Sequence, residues 1–226
     1  MGAAEGLESR GWDAFLTDRD KQVFAKPGYG ARQWFGQRPV LLVVDVNKNF
    51  CGPRSQPILE SLETWRASCG EDAWAAIPHI RRLVDVCRSQ RIPVIYSTME
   101  DLREDEWDHG RFGDKNRRRG EDRAAHPSEA TEIVPELAPT SNDIVIRKYK
   151  PSVFHGTMLV SFLTDLQADS LIVTGTTTSE CVRATVVDAF SYNYRVSVVD
   201  QEPFDRGPAS HGLNHSDMHK HSAQLL

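Results

Sequence analysis

Two short apolar runs constrain the fold of this chain more than anything else in it. Val40-Leu41-Leu42-Val43-Val44 and Leu171-Ile172-Val173 are hydrophobic at successive positions, so each must be buried on both faces. Strands of that kind belong in a parallel sheet sandwiched between helices, because a strand with one wet face would alternate polar and apolar residues. Further strands are predicted over 92–96, 143–148 and 195–200. Helical periodicity predicts helices over 9–24, 73–90, 155–166, 179–192 and 209–226, and 51–70 reads as loop. In the helix over 73–90 the spacing puts Ile77, Ile80, Leu83, Val84, Val86 and Cys87 on one apolar face. Strands alternating with helices give an α/β class, a three-layer α/β/α architecture with a mainly parallel, doubly wound sheet.

A chain of 226 residues suits one such core, with residues 1–35 as an N-terminal helical extension and 36–226 as the main domain. The net charge of −5 argues against a nucleic-acid or anionic-membrane partner. No apolar run approaches the roughly 20 residues that span a bilayer. The first 19 residues lack the apolar core of a secretion signal, so a cytoplasmic location is expected. The four cysteines, Cys51, Cys69, Cys87 and Cys181, are too scattered for a disulfide framework, and none has zinc-site spacing. No glycine-rich phosphate loop follows any strand. Neither a metal nor another cofactor is expected.

Three predicted strands end in a reactive group. Asp45 closes the first apolar run, Lys148 closes the 143–148 strand, and Cys181 follows Leu171-Ile172-Val173 across Gly175 and three threonines. Open parallel sheets place their chemistry at the carboxyl ends of the strands, where these groups would converge. Cys181 falls in the first turn of a helix that Ser179 is placed to cap. The unpaired N–H groups and positive dipole there favour a thiolate and can hold an oxyanion. Taken singly, Cys181 reads equally well as a small packing residue, and Asp45 as a turn or cap residue. Lys150 competes with Lys148 by composition. The polar stretch 99–131, carrying Trp107, His109, Phe112 and His126, reads as a lid, an oligomer contact or a surface insertion.

Leu-Leu-Val-Val-Asp45, Lys148-Tyr-Lys-Pro-Ser152-Val-Phe154 and Thr-Gly-Thr-Thr-Thr-Ser-Glu-Cys181-Val-Arg-Ala-Thr together resemble the isochorismatase-like cysteine hydrolases. The resemblance runs from about residue 40 to 218. It implies a catalytic triad of Asp45, Lys148 and Cys181, Lys148 being the lysine with the motif spacing to Ser152 and Phe154. It also implies a cis peptide at Thr176-Thr177 and an oxyanion hole from the N–H groups of Thr177 and Cys181. A cysteine points away from isochorismate, a vinyl ether, and towards C–N cleavage. The segment Asn47-Lys48-Asn49-Phe50-Cys51-Gly52 lacks the histidines of a nicotinamidase metal site.

Within that family, the cysteine run and the later Asp205-Arg206 segment are most similar to N-carbamoylsarcosine and maleamate amidohydrolases. That similarity assigns Arg206 to a substrate carboxylate, which a guanidinium fork grips well, with Thr177 and Thr178 as further substrate contacts. The plain alternative for Arg206 is a surface ion pair with Asp205 or Glu202. Arg183 is expected to be structural. The reaction expected is hydrolysis of a small carbamoyl or amide compound bearing a carboxylate, with release of ammonia. The alternatives are a biuret-like or nicotinamide-type amidase, an isochorismatase-type hydrolase, and a non-catalytic family member. A homo-oligomer, dimer or tetramer, is expected. Two features depart from the family pattern. Glu180 stands where glycine is usual, and the chain ends without an evident last strand, so a sheet edge is expected to be missing or supplied otherwise. His211, His215, His219 and His221 read as an exposed or interface face.

Overall fold

The computed structural model describes residues 11–100, 110, 111, 115, 129–199 and 203–226. Its strands are β1 (Pro39–Val44), β2 (Val94–Met99), β3 (Ile144–Lys148), β4 (Ser170–Gly175), β5 (Arg195–Val198) and β6 (Gln224–Leu225). They form one sheet in the order β3-β2-β1-β4-β5-β6, and every pairing is parallel. The helices are α1 (Asp18–Ala25), α2 (Lys48–Cys51), α3 (Ile58–Thr64), α4 (Glu71–Ser89), α5 (Leu159–Asp165), α6 (Arg183–Ser191) and α7 (Pro208–His221).

The chain winds outward from β1 through β2 to β3, then crosses back to lay β4 on the other side of β1. The winding direction therefore reverses between β1 and β4, and a crevice opens at their carboxyl ends. Alternation along β1 divides the core. Leu41 and Val43 face α4, with Ala73, Ile77, Ile80 and Val84, while Val40, Leu42 and Val44 pack with Leu163, Val182 and Val186. Both sides are dry, which is why the run had to be apolar throughout. Each of the valines, leucines and isoleucines among them contributes roughly 1.5–3 kcal/mol by burial.

Several local readings need correction. The 51–70 segment contains α3. On α4 the buried stripe is Ala73, Ile77, Ile80, Val84 and Cys87, and Val86 is exposed, because a step of two from Val84 turns it to solvent. Of the two alternatives for the last sheet edge, the edge is supplied, by the chain's own end. β6 pairs with β5, and the Gln224 side chain donates to the Ser197 hydroxyl (2.8 Å) and accepts from the Trp34 N–H (3.0 Å). Two residues with little pattern of their own could not announce a strand.

The histidine face of α7 is partly covered from within the chain: His215 is buried and His211 and His219 half-buried, whereas His221 is exposed as expected. Trp12 packs edge-on to His215 and tilted against His219, and Tyr29 meets His221 edge-on. A Cβ on Gly212 would lie 2.8 Å from the Phe15 ring, so the N-terminal segment seats tightly on this helix. Thr17 and Asp20 form a capping box that starts α1. Of the 99–131 stretch, Trp107, His109, Phe112 and His126 lie outside the described residues. Its end, 129–132, is tied to the start of α2 by ion pairs from Lys48 to Glu129 (2.6 Å) and Glu132 (2.8 Å). No helix among the described residues is long and apolar enough to cross a membrane.

Gly175 shows how closely β4 approaches β1. Its φ is +109°, and a Cβ there would lie 2.1 Å from the Val44 carbonyl oxygen. Gly175→Ala is predicted to cost roughly 3 kcal/mol or more, from backbone strain and overpacking together. Urea unfolding checks this, and a loss under about 0.5 kcal/mol would contradict the close approach.

Candidate active site

Asp45, Lys148 and Cys181 meet at the crevice. The Lys148 ammonium lies 2.7 Å from Asp45 Oδ2 and 3.5 Å from Cys181 Sγ. Asp45 and Lys148 have fully buried side chains, and Cys181 is 4% exposed. Three strands build this cluster by different means. Asp45 leaves β1 with φ +53°, a left-handed conformation that Asp tolerates better than most residues. Lys148 ends β3, two strands and roughly 10 Å from β1. Only a long side chain crosses that gap, and its Nζ also donates to the Lys150 carbonyl (3.0 Å). Lys150 thus takes part through its backbone, and the ammonium in the cluster belongs to Lys148.

Cys181 follows β4 through a cis Thr176–Thr177 peptide bond and a wide helical turn, 178–182, in which the Val182 N–H reaches back to the Thr177 carbonyl. Ser179 does not cap α6. It sits inside this turn, and its N–H donates to Asp205 Oδ2 at 2.8 Å. A carboxylate thus takes the place of a side-chain cap at the positive end of the helix. The Thr185 hydroxyl donates to the Cys181 carbonyl (2.7 Å) and accepts from the Val153 N–H (3.1 Å). It joins the turn holding Cys181 to the loop that follows Lys148.

The electrostatics correct one expectation. Burial, then the neighbouring Asp45 carboxylate, push the Cys181 thiol well above the ordinary cysteine range, and Lys148 offsets only part of this. Burial also opposes the charge on Lys148, but Asp45 and Cys181 outweigh it and hold the ammonium above its usual value. The resting cluster is therefore an ion pair beside a protonated thiol, not a thiolate. Burial and the Asp45 carboxylate both act against the thiolate that the helix end favours. Asp45 Oδ2 touches the ammonium but accepts no well-directed hydrogen bond, while Oδ1 accepts one from the Ser97 hydroxyl at 2.8 Å.

The other sequence-predicted residues lie around this cluster. Thr177 is buried, and its hydroxyl has no partner among the described residues. Thr178 is committed, its hydroxyl 2.9 Å from His211 Nδ1. Arg206 is exposed and stands outside the buried cluster. Its Nε donates to the Ala67 carbonyl (3.2 Å), and its guanidinium lies 5.9 Å from the Phe50 ring centre. It forms no ion pair with Asp205, which instead accepts the Arg206 backbone N–H; Glu202 lies outside the described residues. A cleft of about 450 Å³ beside Asp205 and His211 is lined by none of the three clustered groups. Among the described residues no set of three or more His, Cys, Asp or Glu is placed to hold a metal ion.

Sequence reading missed Ser97 and Thr185 as contacts of the cluster, and Asp205 and His211 as contacts of the turn that carries Cys181. For Ser97 a signal existed: the 92–96 strand runs on into Ser97-Thr98, polar residues at a carboxyl strand end.

A family model described as the isochorismatase domain matches residues 39–224. The chain belongs to the isochorismatase family. It is 28% identical over 190 residues to an N-carbamoylsarcosine amidase of an Arthrobacter species, covering 82% of this chain and 67% of that one. A maleamate amidohydrolase of Pseudomonas putida is 33% identical over 82 residues, 36% of this chain and 38% of the relative. In fold, a cysteine hydrolase from Pseudomonas syringae pv. phaseolicola superposes with a TM-score of 0.73 at 22% identity, covering 86% of this chain and 91% of that one.

A resting thiol makes a kinetic prediction. Since the thiolate is the reactive form, iodoacetamide modification of Cys181 should be slow near pH 7 and keep rising beyond about pH 9. A rate already level below about pH 7 would mean a preformed thiolate and contradict this charge arrangement.

Proposed function

We propose that this chain is a cysteine-dependent amidohydrolase that cleaves a C–N bond of a small carbamoyl or amide compound bearing a carboxylate and releases ammonia. The observation that carries the reading is the position of Lys148 Nζ between Asp45 Oδ2 and Cys181 Sγ in a buried site. As the thiol proton passes to Oδ2, one negative charge moves from oxygen to sulfur. Both ends of that move lie beside the same ammonium, so the net charge of the cluster never changes. This lowers the cost of making a nucleophile from a thiol that burial disfavours.

The thiolate attacks the carbonyl carbon. The oxyanion is received by the N–H groups of Thr177 and Cys181; the Thr177 N–H meets no acceptor among the described residues. Asp45 returns the proton to the departing nitrogen, and ammonia leaves. Water, with Asp45 again as base, then resolves the acyl–sulfur intermediate and restores the thiol. Arg206 holds the substrate carboxylate, for which its exposed guanidinium has terminal nitrogens to spare beyond the Nε contact. The identity of the Arthrobacter relative supports an N-carbamoyl amino acid as substrate, ahead of a maleamate-like amide. The protein acts as a homo-oligomer, and residues 36–226 carry the activity.

Ammonia release from N-carbamoylsarcosine, maleamate, biuret and nicotinamide tests this with wild type, Cys181→Ala and Arg206→Ala. Turnover is predicted only for the two carboxylates, falling by roughly 1,000-fold or more in Cys181→Ala. Arg206→Ala should raise KM by about 10-fold or more. Undiminished turnover by Cys181→Ala would remove the cysteine mechanism. Biuret or nicotinamide turnover alone would remove the role of Arg206.

A further inference from the structure

We infer that Ser97 is a positioning residue for Asp45, selecting Oδ2 as the oxygen that takes and returns the Cys181 proton. This rests on the triad proposed above. Ser97 lies near the carboxyl end of β2, the strand between β1 and β3, paired with Val44 on one side and Ile146 on the other. Its backbone carbonyl accepts the Asp45 N–H at 3.0 Å, and its hydroxyl lies 3.3 Å from the same N–H. That hydroxyl donates to Asp45 Oδ1 at 2.8 Å. One residue therefore grips Asp45 by backbone and carboxylate together.

The consequence is an asymmetric carboxylate. Oδ1 is occupied by a hydroxyl donor, and Oδ2 is left with the Lys148 ammonium at 2.7 Å and no directed hydrogen bond. Lys148 and Cys181 are the titratable groups that face Asp45, from β3 and from the turn after β4. Only Oδ2 is free to exchange a proton with the sulfur while keeping its contact to the ammonium. Without the hydroxyl, the carboxylate can rotate about its Cβ–Cγ bond and present either oxygen to Lys148.

The next residue cannot substitute. The Thr98 hydroxyl donates to the Thr131 carbonyl and accepts from the Asn47 side chain at 3.1 Å. Serine also fits the geometry of the sheet. A side chain as short as serine reaches Oδ1 from β2 while Lys148 reaches Oδ2 from β3.

Ammonia release from N-carbamoylsarcosine by Ser97→Ala, Ser97→Thr and Ser97→Val provides the test, with Asp45→Asn as reference. Loss of a hydrogen bond to a charged group should lower kcat of Ser97→Ala by roughly 10- to 100-fold at unchanged KM. Ser97→Thr should retain most of kcat. Ser97→Val, of the same shape as threonine without the hydroxyl, should match alanine and keeps the test decisive if the alanine variant does not fold. In the Asp45→Asn background, Ser97→Ala should add little further loss. Equal kcat in the threonine and valine variants, or an effect confined to KM or thermal stability, would overturn the positioning role. Full activity in Asp45→Asn would instead remove the triad itself, so the two failures are distinct.

Discussion

The buried pair of Asp45 and Lys148 is the interaction on which the rest of the structure depends. Two full charges in a buried site are costly unless they neutralise one another, and here they sit 2.7 Å apart. Removing either partner would leave a lone buried charge, so the carboxyl end of β1 and the carboxyl end of β3 are bound together energetically as well as by the sheet. The pair also raises the cost of a thiolate at rest, because a second negative charge would share one ammonium. Reactivity is thereby held back until a proton can move.

The topology makes this pairing possible. Reversal of the winding between β1 and β4 brings Asp45 and the turn carrying Cys181 side by side, and β2 separates both from Lys148. Side-chain length then follows from strand position: a lysine from two strands away, a serine from the adjacent strand, an aspartate from the central one. Gly175 permits the closest approach of β4 to β1, and Asp205, reaching in after β5, holds the turn by the Ser179 N–H. The cluster thus draws on β1, β2, β3, the turn after β4 and the segment after β5.

Much of this was legible in the sequence, for physical reasons. A run such as Val40 to Val44 admits one environment, and a charged residue ending such a run has few places to go but the strand-end crevice. The spacing of Lys148, Ser152 and Phe154 separated Lys148 from Lys150. What escaped reading was set by tertiary context. β6 is two residues long and owes its place to Ser197 and Trp34. The burial of His215 escaped reading because its cover, Trp12, is about 200 residues away in sequence. The pull of burial and Asp45 on the Cys181 thiol escaped reading because the sequence shows the helix end but not the dryness of the site. Ser97 was passed over because one hydroxyl on a strand carries no pattern until its partner is known.

The direct test of the account is to catch the intermediate. Wild-type protein turning over N-carbamoylsarcosine is quenched in acid and its peptides are mapped by mass spectrometry. The account predicts a substrate-derived acyl group on the peptide containing Cys181, none on those containing Cys51, Cys69 or Cys87, and none anywhere when Asp45→Asn is treated alike. An acyl group on another cysteine, or one that forms equally well without the Asp45 carboxylate, would contradict it.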